Sequence, residues 1–181
     1  IMLHVSSMNE RAHTDRAING VVRILKQYPT IGMVILGKGG LSDVLKAHVE
    51  KIGVADQVIF ETDIENVHTY MQMARVLVYT SENTEDETTL LQAAAHRLPI
   101  VCGLKGIASE IFIDGESALF CPIDNLPCFG KKVNQMLNDV ALRTKLARNA
   151  KEIVTERVEQ NYDTFLLSYR TSIEQCLQVD G

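Results

Sequence analysis

The sequence predicts an α/β fold, a doubly wound, Rossmann-like parallel sheet of about six strands with helices on both faces. Short, wholly apolar runs alternate with longer amphipathic segments along the chain, and the loops between them are short. The stretch 76–102 contains a complete unit of this kind: an apolar strand, a polar loop, a small-residue helix and a second apolar strand. Continuously apolar strands are typical of parallel sheets buried on both faces.

The individual elements follow from hydrophobic periodicity and from breaker residues. In the first helix Ile18, Val21, Val22 and Leu25 recur at helical spacing, Thr14 is its expected N-cap, and Pro29 follows its end. Strands are predicted at residues 2–6, 31–36, 57–60, 76–80, 99–103 and 118–121. Helices are predicted at 14–28, 42–52, 64–74 (capped by Asp63), 88–97, 124–137, 142–158 and 162–177, with a short helix within 105–113.

Length and composition favour one soluble domain over residues 1–181. The net charge of −5 argues against nucleic acid as a partner. No apolar run approaches the roughly 20 residues of a membrane helix, and the first residues do not resemble a signal peptide. The four cysteines, Cys102, Cys121, Cys128 and Cys176, form no metal-binding pattern. We therefore expect no metal, buried reduced thiols and a cytoplasmic location.

Several short motifs occur in a characteristic order along the chain. A strand ends in Gly37-Lys38-Gly39, and a Val58-Ile59-Phe60 strand follows; Gln92-Ala93-Ala94-Ala95 precedes Pro99-Ile100-Val101, and 110–115 reads EIFIDG. In this order they resemble the C-terminal, donor-binding domain of GT-B type glycosyltransferases in the large "glycosyl transferases group 1" family. The resemblance covers nearly the whole chain.

The resemblance implies a domain that binds a nucleotide-diphosphate sugar as donor substrate, without a cofactor. It implies a hexosyltransferase-type reaction, with a glycan, a lipid-linked molecule or a small molecule as acceptor, as in polysaccharide biosynthesis. The implied partner is an N-terminal domain of the same protein, through which the enzyme associates peripherally with a membrane. This chain by itself is expected to be inactive, and its catalytic residues are unknown.

The resemblance also implies a set of substrate-binding positions. In the family, an Arg and a Lys after the first strand bind phosphate; Ser7 and Ala12 occupy those positions, and Arg11 lies one position away. Two family glutamates correspond to Thr84 and Gln92. The candidate substrate-binding residues are Arg11, Gly37, Lys38, Gly39, Phe60, Glu61, Thr62, Thr84, Glu85, Thr88, Thr89 and Gln92, and Lys105 is a further cation on a loop.

The loop before the 88–97 helix is acidic, reading Glu85-Asp86-Glu87 where the family has glycines. Carboxylates suit the positive pole of a helix, but they repel a diphosphate at the same place. We therefore predict that an anionic donor binds weakly, or binds elsewhere. A solvated helix start is the favoured interpretation of these consecutive acids, and they are a poor metal site because no histidine lies among them.

Two other functions remain open at this point. The 37–42 segment, Gly37-x-Gly39-x-x-Ser42, approaches a dinucleotide-binding motif, with Glu61 placed to meet a ribose hydroxyl, although the motif follows the second strand instead of the first. Alternatively, the departures at Ser7, Ala12, Thr84 and Gln92 indicate a glycosyltransferase-like domain that has lost catalysis and serves as a binding or scaffolding subunit.

Overall fold

The structure, a computed structural model, describes residues 1–62, 64–82, 87–104 and 107–158. Its centre is a six-stranded parallel sheet, as predicted. The strands are β1 (Met2–Val5), β2 (Met33–Leu36), β3 (Val58–Glu61), β4 (Val76–Tyr79), β5 (Ile100–Gly103) and β6 (Leu119–Cys121). Their order in the sheet is β3-β2-β1-β4-β5-β6, the doubly wound arrangement of dinucleotide- and nucleotide-binding folds.

Helices connect the strands. They are α1 (Thr14–Gln27), α2 (Ser42–Lys51), α3 (Val67–Met73), α4 (Glu87–Ala95), α5 (Ala108–Ile111), α6 (Leu126–Asn138) and α7 (Val140–Val158), with 3-10 turns at Glu10–Ala12, Ala55–Gln57 and Ile64–Asn66. Most predicted boundaries hold to within two residues. The third helix begins three residues later than predicted, because its first turn is a 3-10 turn. Asp63 and the predicted helix 162–177 lie outside the described residues.

The two faces of the sheet carry separate hydrophobic cores. Side chains alternate along each strand, so that β1 directs Met2 to one face and Leu3 to the other. The first face is covered by α1, α2 and α6, through residues such as Ile18, Val21 and Phe129. The second face is covered by α4, α5 and α7, through residues such as Leu90. Helices on both faces are the outcome expected of right-handed crossovers.

The sheet is divided between β1 and β4. β1 pairs with β2 over four residue pairs, from Met2↔Met33 to Val5↔Leu36, but its pairing with β4 stops after Leu3↔Leu77. Chain connections run outward from this point in both directions, which makes it the topological switch point of the sheet. In open α/β sheets a ligand crevice lies outside the carboxyl ends of the strands at that point.

The start of α1 differs from the prediction. Thr14 is the first residue of the helix, not its cap; the cap position belongs to His13, in a left-handed conformation with φ 48°. The Thr14 side chain is buried and points under the helix to His4, so its hydroxyl is not available to cap α1. A local sequence signal for a cap therefore marked a residue that serves a long-range contact.

The cysteine prediction is wrong for one pair. Cys121, at the end of β6, and Cys128, in the first turn of α6, form a disulfide. The turn between them is closed by a backbone bond from Asn125 N to Pro122 O at 2.8 Å, and Asn125 Oδ1 accepts from Cys128 N at 3.1 Å. Cys102 is a buried free thiol, as predicted. Burial raises its pKa well above the ordinary value, and the Asp114 charge adds to the rise while that of Lys132 opposes it. Cys176 lies outside the described residues.

Candidate functional site

The candidate site is the carboxyl edge of the sheet around the switch point. Because β1 to β4 are parallel, the segments 6–13, 37–41, 61–62 and 80–82 all emerge at this edge, and α4 begins there. Most of the residues that the sequence marks as candidates are therefore brought to one side of the molecule. The described residues contain no group of three or more His, Cys, Asp or Glu side chains that could hold a metal ion.

A buried polar network fixes the segment after β1. His4 Nδ1 lies 2.7 Å from the Val78 carbonyl oxygen, at the level where β1 and β4 have ceased to pair. His4 Nε2 lies 3.1 Å from Thr14 Oγ1, which is 2.9 Å from Ser6 Oγ. Ser6 Oγ accepts from the Met8 amide at 3.4 Å. The imidazole thus bridges the split between the strands and ties it to the first turn of α1.

Donor and acceptor chemistry fixes the direction of this chain of bonds. A carbonyl only accepts, so His4 Nδ1 carries a proton. In the neutral ring Nε2 is then an acceptor, so Thr14 donates to it and Ser6 donates to Thr14. A chain of aligned bonds in a dry interior is mutually strengthening. It holds Met8 at φ 43°, a left-handed conformation that is uncommon for a residue other than glycine.

The Gly37–Gly39 loop packs against the other side of the same segment. Gly37 has φ 146°, and a Cβ there would overlap the Ser6 carbonyl; a Cβ at Gly39 would overlap the Ser7 and Met8 carbonyls. Gly37 N also donates to Glu61 O at 2.9 Å. The two glycines are thus accounted for by contact with the chain itself, and Lys38 between them is exposed.

The end of β3 contributes the next three candidates. Phe60 is half-buried against the core, and Thr62 is exposed. Glu61 Oε1 accepts from Thr62 N at 2.8 Å, and Glu61 Oε2 accepts from the Tyr70 hydroxyl at 3.4 Å. Each oxygen of this carboxylate therefore accepts one bond from its own chain, which fixes the orientation of the side chain.

The segment after β4 is bonded to the segment after β1 across the crevice. Thr80 Oγ1 lies 2.8 Å from Ala12 O and 3.0 Å from His13 O, and Glu82 N donates to Arg11 O at 3.0 Å. His13 Nε2 lies 3.8 Å from Glu82 Oε2, so the two form an ion pair when the imidazole is protonated. These contacts join the two segments at the switch point, and they hold the Arg11 backbone in place.

Helix α4 presents one exposed face at this edge. Thr88 in its first turn is exposed and Gln92 is half-buried; four residues apart, they lie on the same side of the helix. Thr89 faces the core and is only 8% exposed. Glu87, the first residue of the helix, is half-buried and carries the acidic charge expected there. A ligand at the start of α4 can thus reach Thr88 and Gln92 more readily than Thr89.

The remaining candidate positions lie on the segment after β1 or outside the described residues. The Arg11 side chain is exposed, whereas Ala12 is fully buried and the Ser7 hydroxyl accepts a 2.9 Å bond from Asn9 Nδ2. A cavity of about 290 Å³ lies beside them, between the segment after β1 and the start of α2, with Asn9 and Leu41 in its lining. Thr84, Glu85 and Lys105 lie outside the described residues.

The His4–Thr14–Ser6 network was not predicted from the sequence. A signal for it existed: His4 and Ser6 alternate with Met2 on one face of a strand that is otherwise apolar. Buried polar side chains are nearly always hydrogen-bonded, so two of them on one face of a buried strand indicate a partner elsewhere in the chain. The partner, Thr14, could not be recognised from local spacing alone.

The geometry of the crevice and the order of the strands find a counterpart among known proteins. The family model described as "Glycosyl transferases group 1" matches residues 1–153. The chain belongs to this family. Two observations disfavour the dinucleotide-binding alternative. The family model is that of glycosyltransferases. In addition, the Gly37-x-Gly39 motif follows β2, away from the switch point.

Relatives of this glycosyltransferase domain are distant in sequence. The chain is 21% identical over 152 residues to the "Putative glycosyltransferase EpsD" of Bacillus subtilis, covering 84% of this chain and 40% of that protein. It is 20% identical over 169 residues to the "N-acetyl-alpha-D-glucosaminyl L-malate synthase" of Bacillus anthracis, covering 91% and 44% respectively. The chain thus spans less than half the length of these relatives.

Solved structures share the fold. S. aureus TarM, solved in complex with UDP among other ligands, superimposes with a TM-score of 0.84 at 17% identity, over 94% of this chain and 34% of that one. The C-terminal domain of the glycosyl transferase group 1 family protein LpcC from Francisella tularensis gives 0.78 at 21% identity, over 88% and 87%. The match to this isolated C-terminal domain covers most of both chains and shows that the two share one fold.

Proposed function

We propose that this domain binds the donor in a glycosyltransferase that moves a sugar from a nucleotide-diphosphate sugar to a glycan, lipid-linked or small-molecule acceptor. The observation that carries the proposal is the β1–β4 switch point, where the two strands cease to pair, with the exposed start of α4 at the same edge of the sheet, in a chain that matches the family over residues 1–153. That TarM was solved with UDP supports a nucleotide as the ligand.

In the proposed mechanism the leaving diphosphate is stabilised by fixed dipoles and cations, without a metal or cofactor. The amide groups in the first turn of α4 have no partners within the helix, and its dipole places partial positive charge there. Thr88 can donate its hydroxyl, and Gln92 can bond hydroxyl groups of the ligand. Arg11 supplies a full charge from the segment after β1, on a backbone held by Glu82. Such preorganised groups stabilise developing charge efficiently.

Chemistry in this proposal requires a second domain. The relatives are more than twice as long as the matched region, so the acceptor and the groups nearest the transferred sugar are assigned to the part of the protein outside this chain. Membrane association would occur through that part. In the part of the chain that the structure describes, no helix is long and apolar enough to cross a membrane. A cytoplasmic location remains part of the proposal, although the Cys121–Cys128 disulfide removes the cysteine argument for it.

Calorimetric titration of the chain with UDP, GDP and ADP, and with sugars linked to each, tests donor binding. We expect one base to be preferred, with a dissociation constant of about 1 μM or weaker because of the acidic helix start. Submicromolar binding would contradict the predicted weakening by the acids. No saturable binding of any nucleotide would refute donor binding.

An arginine variant localises the ligand. Arg11→Gln removes the exposed charge beside the crevice and should weaken nucleotide-diphosphate binding about tenfold, because it removes a charge-assisted hydrogen bond. Arg23→Gln, at an exposed position on α1, is the matched control and should leave the affinity unchanged. Equal behaviour of the two variants would exclude Arg11 from the site.

A turnover assay distinguishes an active glycosyltransferase from a related domain that has lost catalysis. The family match and relatives named as transferases favour the enzyme. The complete protein should release nucleotide diphosphate from the donor that binds, in the presence of a suitable acceptor. A complete protein that binds a nucleotide sugar but releases no diphosphate with any acceptor class would favour the binding subunit.

A further inference from the structure

A second cavity lies at the opposite edge of the sheet and is lined by arginines. It has a volume of about 390 Å³, and we call it the arginine pocket. Arg75 precedes β4, Arg97 precedes β5, and Arg143 and Arg148 belong to α7; Pro99 and Ala147 form part of its apolar floor. Because Arg75 and Arg97 lie before parallel strands whose carboxyl ends carry the crevice, the whole sheet separates the two places.

The charge in the arginine pocket is largely uncompensated. Among the described residues, no carboxylate lies within ion-pair distance of Arg75, Arg97 or Arg143, and no acidic residue lines the cavity. Arg148 has one partner, Glu152, at 3.7 Å. This concentration of cations occurs in a chain whose net charge is −5. Arg75, Arg97 and Arg148 are exposed, so their charges are accessible to an anion from solution.

One of the arginines is held rigidly. Arg143 Nη1 donates to Met136 O at 2.9 Å and to Leu137 O at 3.3 Å, in the last turns of α6. A guanidinium has five N–H donors, so Nε and Nη2 remain available to a ligand. A side chain that is already immobilised loses less entropy when it binds, so this contact prepares the pocket for an anion.

Arg97 occupies a position that normally belongs to glycine. It follows the end of α4 with φ 55°, and its amide bonds to Ala94 O at 2.9 Å while Leu98 N bonds to Ala93 O at 2.8 Å. These paired bonds define a Schellman motif, in which the left-handed residue is usually glycine. An arginine there is strained, and strain at a single exposed residue suggests a role for its side chain.

From these features, we propose that the arginine pocket is a second anion site, which binds a phosphate ester or diphosphate group. Four arginines from three chain segments line one cavity, and a bidentate guanidinium fork is the group that best matches phosphate oxygens. The volume suits a small ligand or a headgroup. A neighbouring depression shares Arg97 and Arg148 with the arginine pocket but is also lined by Glu152 and Glu156, so the anion is assigned to the side of these arginines that faces Arg75 and Arg143.

The strain at Arg97 provides a test that separates folding from binding. Arg97→Gly removes the guanidinium while relieving the backbone strain, so the variant should fold at least as stably as the parent chain. It should bind inorganic pyrophosphate in this pocket about tenfold more weakly or worse. Arg23→Gln, which removes one exposed charge elsewhere, should bind as the parent chain does.

Amide NMR titration with pyrophosphate, at constant ionic strength, distinguishes the two edges of the sheet. Binding in the arginine pocket shifts the amides of Arg75 and Arg97, whereas binding at the donor crevice shifts those near Thr88. The first response should disappear in Arg97→Gly while the second persists. An unchanged response at Arg75 in Arg97→Gly would overturn the proposal, whether or not the crevice binds.

A vesicle-binding experiment shows whether the phosphate group belongs to a lipid or to a soluble molecule. Sedimentation with phosphatidic acid vesicles, against phosphatidylcholine vesicles, compares a lipid headgroup with free pyrophosphate. Arg97-dependent binding to phosphatidic acid vesicles assigns the pocket to a lipid headgroup, and Arg97-dependent binding to pyrophosphate alone assigns it to a soluble phosphate. If neither binds in an Arg97-dependent way, the proposal is wrong.

Discussion

The segments that follow β1 and β4 face each other across the crevice, but they are held in different ways. The first, residues 6–13, is bonded through Ser6 to Thr14 of α1, which in turn bonds His4, and it packs closely against Gly37 of the loop after β2. The second, as far as residue 82, is bonded mainly to the first, through Thr80 and Glu82. The first segment is therefore a rigid wall whose polar groups are largely used internally, and ligand contacts are left to Arg11 and to the start of α4.

Breaking the glycine contact should have the largest effect on this difference. Gly37→Ala places a Cβ against the Ser6 carbonyl in a conformation that L-residues rarely adopt, and it should lower the free energy of unfolding by about 3 kcal/mol or more. Urea denaturation measures it. Gly40→Ala, where a Cβ meets nothing, should change stability by less than about 1 kcal/mol. Equal effects of the two substitutions would show that the wall does not depend on close packing.

Removing the imidazole at the split between the strands should have the next largest effect. His4→Ala leaves the Val78 carbonyl and the Thr14 hydroxyl buried without their partner, so we expect a loss of about 2–4 kcal/mol. His68→Ala, at an exposed histidine of α3 whose Nδ1 lies 2.9 Å from His96 Nε2, should cost less than about 1 kcal/mol. A small effect at His4 would mean that the strands hold together without the side-chain bridge.

A nearly isosteric change tests the hydroxyl in the middle of the network. Thr14→Val keeps the shape but deprives His4 Nε2 and Ser6 of a partner, and it should lower the free energy of unfolding by about 1–3 kcal/mol. Thr144→Val, which removes an exposed hydroxyl bonded to Val140 O, should have an effect within about 0.5 kcal/mol. The same urea titration serves both, and a neutral Thr14→Val would show that the hydroxyls do not act as a chain.

The pH dependence of stability tests whether the interior beneath the second segment, around Cys102, is dry. Cys102 lies opposite Tyr79 in the β4–β5 pairing, and its raised pKa keeps the thiol protonated in the folded state. The unfolded chain loses that proton above about pH 8.5, so the folded protein binds more protons and stability falls as pH rises from there towards the folded-state pKa. Cys102→Ala should flatten this alkaline loss. Rapid alkylation of Cys102 in the native protein at neutral pH would contradict a dry interior.

The smallest effect on stability is expected on the ligand side of the crevice. Thr88→Val should change the free energy of unfolding by less than about 0.5 kcal/mol, since Thr88 is exposed. It should weaken nucleotide-diphosphate binding about three- to tenfold, through the loss of one donor. Thr69→Val, at an exposed position on α3, should leave binding unchanged. If Gly37→Ala altered binding without loss of stability and Thr88→Val did not alter it, the roles assigned to the two sides would have to be exchanged.

Local pattern was sufficient for the framework of the fold. Apolar runs located all six strands, and the helical spacing of Ile18, Val21 and Leu25 gave the buried face of α1. Prediction from local pattern failed where the role of a residue depends on a contact with a distant part of the chain. Thr14 has the chemistry of a cap but bonds to His4, and the Cys121–Cys128 pairing depends on how the chain turns between β6 and α6.

From the sequence, the candidate site could be assigned to one edge of the sheet but not described as a set of contacts. The rule that ligands lie at the carboxyl edge of a parallel sheet places the loops after β1 to β4 on one side of the molecule. Burial of Thr89, exposure of Thr88 and the engagement of both Glu61 oxygens follow from the orientation of each element, which periodicity does not determine. The substrate-binding role of each candidate residue remains a prediction.

The short pairing between β1 and β4 also has a consequence for how the molecule opens. Residues 1–73 contain β1 to β3 and residues 76–158 contain β4 to β6, so the weakest line of the sheet coincides with a division of the chain. Local opening along that line would leave two half-sheets intact and expose the unpaired backbone of both central strands. Such newly formed edges can pair with other chains, so opening at the centre should add two aggregation-prone strands to the two at the rims.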